Sequence, residues 1–347
     1  MNDSVSNQPF GRIRVKEARH ELVLLSLVLA EFAAFSFTAR NFNSPENVVN
    51  IVRHSAEIGM LALAMMPVIL TGGIDLSVGS LVGLSAVVFG ELTHTFQIPT
   101  LPAAIATLIL SSLSGTLNAW LITKRNLPPL IVTLGTLSLF RGLAEAITRG
   151  TKTYREFTPT FLQFSDLSHG GLPIQAVMLM GVSLAVFLAV HHTVAGVQIR
   201  ACGFSPEGAI YAGSPSARRV SATYQFSGFI AGACALLLTS RLHQARADAG
   251  TGYELAAITA VVLGGSSIFG GKGNVLGTLL GIAAIALLSN GIGRIPVVLK
   301  MGVGNELASL LTGMLLLVAL AAGNLHRLPV FRATKLSTPK KQKTPLP

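Results

Sequence analysis

Ten apolar runs of membrane-spanning length, separated by short polar or Gly/Pro punctuation, constrain this 347-residue chain more than any other feature. They fall near 22–39, 54–72, 76–95, 100–123, 128–147, 173–191, 219–241, 255–270, 273–290 and 303–323. A helix rises 1.5 Å per residue, so about 20 apolar residues cross a hydrocarbon layer of about 30 Å. Half of the residues are hydrophobic and only 12% are charged, against about 25% charged in ordinary soluble domains. A soluble globule is therefore excluded, and the reading is an all-α polytopic membrane protein with about ten transmembrane helices. The connections are too short for a second folded domain. The expected organisation is an N-terminal tail at 1–21, a transmembrane domain at 22–325 and a C-terminal tail at 326–347. That last tail is rich in Pro, Lys and Thr, lacks the apolar residues needed to fold, and is expected to be disordered.

The formal net charge of +11 does not indicate nucleic acid, because the basic residues punctuate apolar runs rather than gathering with aromatics on one polar stretch. With the N-terminus inside, the cytoplasmic segments collect 16 Lys and Arg and the outer segments 9. This bias places both termini in the cytoplasm. The run at 22–39 carries Glu31 and lacks a small-x-small cleavage site, so it reads as a first span and not as a signal peptide. Cys202 and Cys234 are expected as free thiols, with no disulfide and no metal site.

Two glycine-rich interruptions stand inside the apolar pattern. The first is Gly72-Gly73-Ile74-Asp75-Leu76-Ser77-Val78-Gly79, preceded by Pro67; the second runs from Gly264 to Gly273. A helix broken at membrane depth exposes backbone N–H and C=O groups, which survive only when packed in protein or lining a wet cavity. The first break is therefore placed beside a pore. Each break precedes a helix with small residues at four-residue spacing, a face that permits close packing. The pair reads as a weak internal repeat whose orientation the sequence leaves open.

Several chemistries fail at the residue level. A GxxxxGK[ST] phosphate loop ending at Gly271-Lys272 would need Gly at 266 and Ser or Thr at 273, where Ser266 and Gly273 stand. Intramembrane protease signatures fail at Ile74 before Asp75 and at Ser112 before Leu113-Ser114-Gly115. No catalytic residue, metal or cofactor is assigned. Among the intramembrane acids, Glu145 lies one helical turn from Arg141 and is expected to neutralise it. Asp75 has two readings, fixing the broken backbone or touching solute. Trp120, near a predicted span end, reads as an interfacial anchor.

The connection 192–219 contains Gly203-Phe204-Ser205-Pro206-Glu207-Gly208-Ala209-Ile210-Tyr211-Ala212-Gly213-Ser214. Ser205 can cap a helix whose first residue is Pro206, and Gly213 can stop it about two turns later. A short surface helix held between two spans has the shape to sit in a partner's groove.

These stretches, with TGGIDLSVGSLVGL (71–84) and GYELAAITAVVLGGSSIFGGKGNVLGTLLG (252–281), resemble permease subunits of bacterial ABC importers for monosaccharides. That family spans the ribose, xylose, arabinose and galactose type and includes rhamnose and autoinducer-2 permeases. Similarity runs from about residue 20 to 325; the loop departs from the family pattern at Ser205, Gly208 and Ser214. The resemblance implies a permease fold in the inner membrane, with both a separate ATPase subunit and a periplasmic sugar-binding protein. It also implies a second permease copy or a paralogue. On this chain it implies that Glu207, Gly208, Ala209, Ile210, Tyr211, Ala212 and Gly213 meet the ATPase. It further implies that Gly73, Asp75, Ser77, Gly79, Gly264, Gly265, Ser266, Phe269 and Gly270 shape the translocation path. The competing reading is an ion-coupled secondary transporter of a small polar solute.

Overall fold

The computed structural model describes residues 10–169 and 172–324. The tail expected at 326–347 lies outside these residues, as does the beginning of the N-terminal tail. In chain order the helices are α1 (Phe10–Thr38), α2 (Pro45–Leu70), α3 (Val78–His94), α4 (Thr100–Lys124) and α5 (Pro129–Thr148). After a short α6 (Pro159–Phe164) and a two-stranded hairpin, β1 (Ser168–His169) with β2 (Leu172–Pro173), come α7 (Ile174–His191), α8 (Val194–Phe204) and α9 (Pro206–Tyr211). The chain continues through α10 (Ser216–Leu242), α11 (Tyr253–Leu263), α12 (Val275–Gly293), α13 (Pro296–Met301) and α14 (Gly304–Asn324). Ten of these coincide with the ten apolar runs. Seven are long and apolar enough to cross a membrane, while α3, α11 and the apolar part of α14 are shorter.

α2 is the central element. From Ala56 to its end almost every residue is buried, because α7, α10, α11 and α12 surround it. A helix apolar on all sides belongs at the middle of a bundle. By contrast α4, α5, α7 and α14 leave Leu, Ile and Met side chains exposed along one face, the arrangement of helices that meet lipid. α10 crosses α4 closely because small residues line the crossing: an added Cβ at Gly228 would lie 3.1 Å from the Gly115 Cα, and one at Gly232 would lie 2.6 Å from Ser111 Oγ.

One buried carboxylate forms an ion pair. Glu57 on α2 is fully buried and accepts from Arg241 Nε of α10 at 2.8 Å, while the same guanidinium meets His54 Nδ1. The expected Arg141–Glu145 pair does not form. Glu145 is exposed, and Arg141 turns across α5 to donate to the backbone carbonyls of Ala247 and Ala249. The guanidinium satisfies irregular backbone that has no helical partner, a stronger demand than neutralising an exposed carboxylate.

The expected span at 255–270 is also different. Helix α11 covers only Tyr253–Leu263, and 264–274 is irregular, because glycines at 264, 265, 270, 271 and 273 interrupt the ladder. Likewise α8 is a helix the sequence reading left as connection, capped by Thr193, whose hydroxyl accepts from the Gly196 N–H at 3.1 Å.

Candidate functional site: two helix breaks and the segment beside them

Asp75 sits in the first break and is buried. Its Oδ1 accepts from the Ser77 N–H at 3.1 Å and the Ser77 hydroxyl at 2.6 Å; its Oδ2 accepts from the Ser227 hydroxyl of α10 at 3.1 Å. Asn118 of α4 donates to Ser77 Oγ at 2.9 Å, and Thr133 of α5 donates to the Ile74 carbonyl at 3.1 Å. Three helices, α4, α5 and α10, are thus tied to the seven non-helical residues 71–77. A carboxylate with three donors replaces the hydrogen bonds that the broken helix lost. Gly73 faces the Tyr224 hydroxyl, which an added Cβ would approach to 2.5 Å. Ser77 is fully buried, and Gly79 opens the small face of α3.

The second break does not join Asp75. It meets the end of α2 and the end of α8 instead. The Gly271 N–H donates to the Leu70 carbonyl at 2.9 Å. An added Cβ at Gly203 would stand 2.6 Å from the Gly271 nitrogen and 3.0 Å from the Gly270 Cα. One at Gly270 would stand 2.9 Å from the Gly72 nitrogen. Three backbones therefore converge where no side chain fits: the end of α2, the loop 264–274 and the residue that leads into α9. Gly270, with φ +89°, also needs the left-handed region. Around this junction Gly264 packs on Gly277 of α12, Gly265 lies against His20, whose Nε2 is 3.0 Å from the Leu263 carbonyl, Ser266 is buried, and Phe269 is exposed.

Helix α9 has the form expected of it. The Ser205 side chain accepts from the Gly208 N–H at 3.1 Å, Pro206 occupies the first turn, and Gly213 follows with φ +75°. Ala209 is its buried residue; Glu207, Gly208, Ile210, Tyr211, Ala212 and Gly213 are exposed, Tyr211 at 91%. Arg125 lies 4.8 Å over the Trp120 ring at the same end of the bundle, where α4 finishes.

One family model matches residues 47–320, and its description is "Branched-chain amino acid transport system / permease component". The chain belongs to this permease family. It is 35% identical over 318 residues to the autoinducer 2 import system permease protein LsrD of Escherichia coli strain K12 and to that of Shigella flexneri. Each alignment covers 88% of this chain and 93% of the relative. The permease is thus a multi-pass transport subunit of an ABC importer. Family membership implies an ATPase and a substrate-binding protein beside it.

The sequence reading had missed one feature of the permease. Residues 245–252 form no helix span and no simple surface loop. Ala245 exchanges backbone hydrogen bonds with Tyr154, and the chain then runs along α3: the Ala247 carbonyl lies 2.5 Å from where Gly83 would carry a Cβ, and the Gly250 carbonyl 2.5 Å from the same point on Gly79. The legible signal was the alternation Ala245-Arg246-Ala247-Asp248-Ala249, small then polar, which is period two and not helical.

Proposed function

We propose that the permease carries a monosaccharide or related small polyol across the inner membrane, with ATP hydrolysis on a separate subunit as the energy source. In this reading both termini are cytoplasmic, a periplasmic binding protein delivers the sugar, and two copies, or one copy with a paralogue, enclose the path among membrane lipid. The ATPase receives α9 from Glu207 to Gly213. Gly73, Asp75, Ser77 and Gly79, with Gly264, Gly265, Ser266, Phe269 and Gly270, shape the path by fixing the two breaks.

The observation that carries the reading is the continuity of α9 with the glycine junction. An exposed helix with Ile210 and Tyr211 outward is joined, through Gly203, to the ends of both broken segments. A push on α9 therefore enters the bundle at its two helix breaks. The ion-coupled alternative draws no support from Asp75, whose oxygens are occupied by hydroxyl and N–H donors. The test is reconstitution with the ATPase and binding protein in proteoliposomes. Sugar uptake that requires ATP hydrolysis and is indifferent to a proton or sodium gradient supports the proposal. Uptake driven by the gradient without the ATPase overturns it.

A further inference from the structure

The segment Arg246 to Gly252 combines two properties that lipid does not tolerate together: it is irregular backbone, and its outer edge is polar and exposed. Its depth follows from its register against α3. At 1.5 Å per residue, Gly83 lies about 16 Å and Gly79 about 22 Å from the His94 end of that helix. The His94 end is polar, with Glu91 paired to Lys152 at 3.2 Å, and marks the membrane surface. Ala247, Ala249 and Gly250, which pack against Gly83 and Gly79, are therefore well inside the hydrocarbon layer.

The alternation sorts the side chains. Ala245, Ala247, Ala249 and Gly250 turn toward α3 and Arg141, while Arg246, Asp248, Thr251 and Gly252 are exposed. Arg246 Nη2 and Asp248 Oδ2 are 2.5 Å apart, and Thr251 donates its hydroxyl to the Asp248 carbonyl at 2.7 Å. In the first turn of α11, Glu254 accepts from the Gly252 N–H through Oε1 at 3.2 Å, and its Oε2 is buried against Gly79 of α3. Non-helical backbone and ionised side chains at this depth occur only where they line water or another protein surface.

We propose that the edge formed by Arg246, Asp248 and Thr251 is a wall of the aqueous path and makes the polar contacts to the solute. The chemistry selects a neutral, hydroxyl-rich molecule. Arg246 and Asp248 cancel each other's charge yet keep spare donors and acceptors, and the exposed Thr251 side chain stands beside them, a set suited to adjacent hydroxyl groups. A second permease copy would close the path opposite this edge. The inference rests on the transport reading above and adds the residues that touch solute.

The test uses the complete importer in membranes, with Asp248→Cys and Thr251→Cys introduced one at a time and Ile109→Cys, on the exposed apolar face of α4, as reference. The native Cys202 and Cys234 are both buried. The probe is a charged, membrane-impermeant thiosulfonate. A thiol reacts as thiolate, which forms in water and not in hydrocarbon, so both positions should react at least about tenfold faster than the α4 position, at rates that change when the ATPase is trapped with vanadate. Labelling of both positions only by a membrane-permeant maleimide, at the rate of the α4 position, overturns the inference. The ATP requirement of uptake is read separately: unlabelled positions with ATP-driven uptake reject this wall alone, whereas labelled positions with gradient-driven uptake reject the ABC reading alone.

Discussion

Gly271 donates its backbone N–H to the carbonyl of Leu70 across 2.9 Å, and that single bond joins the second break to the end of the central helix. Gly203 packs against the same pair of backbones and leads directly into α9. This contact is a direct route by which movement of α9 reaches the end of α2.

Gly203→Ala should therefore separate energy input from transport. A methyl group there meets the Gly271 nitrogen at 2.6 Å, so the junction must open. Uptake should fall about tenfold, the ordinary scale of a coupling free energy, while ATP hydrolysis by the assembled complex persists. Parallel measurement of both rates in proteoliposomes checks this.

Asp75→Ala removes the acceptor for three hydrogen bonds, including those from Ser77 and Ser227. Loss of one charge-assisted bond costs about 1.5–3 kcal/mol, and the variant should unfold in detergent at a clearly lower temperature. Asp75→Asn keeps one acceptor oxygen and should fall between the two. Equal melting of all three proteins would remove Asp75 from the structural role.

The buried pair of Glu57 and Arg241 predicts a non-additive result. Glu57→Ala leaves the guanidinium unpaired, at a cost of about 3–5 kcal/mol. The double variant Glu57→Leu with Arg241→Met should recover most of that loss, because no uncompensated charge remains. Denaturant titration of the solubilised permease reads the cycle.

Arg141→Met should loosen residues 247–251. It leaves the carbonyls of Ala247 and Ala249 without their donor, at about 1–3 kcal/mol for each buried acceptor. Hydrogen exchange at those amides should accelerate while α2 stays protected; unchanged exchange would contradict the role given to Arg141.

The ten helices were legible because lipid demands continuous apolar runs, and each run became a helix. The cap and stop of α9 were legible because Ser205, Pro206 and Gly213 act locally. What escaped the sequence depends on distant partners. Arg141 was matched with Glu145 by helical spacing, although carbonyls contributed from more than a hundred residues away claimed it. The second break was legible as a break from its glycines, but glycine says only that backbones come close, not which ones. Residues 245–252 were hidden because their charges, Arg246 and Asp248, look like an ordinary outer loop until their register on α3 is known.

The most direct measurement is site-specific crosslinking from Tyr211→Cys, at a position 91% exposed, in the working importer. The account predicts a crosslink to the ATPase subunit that changes in yield through the hydrolytic cycle and is absent from the outer face. A crosslink formed only from the outer side, or no ATPase contact while uptake proceeds, would contradict it.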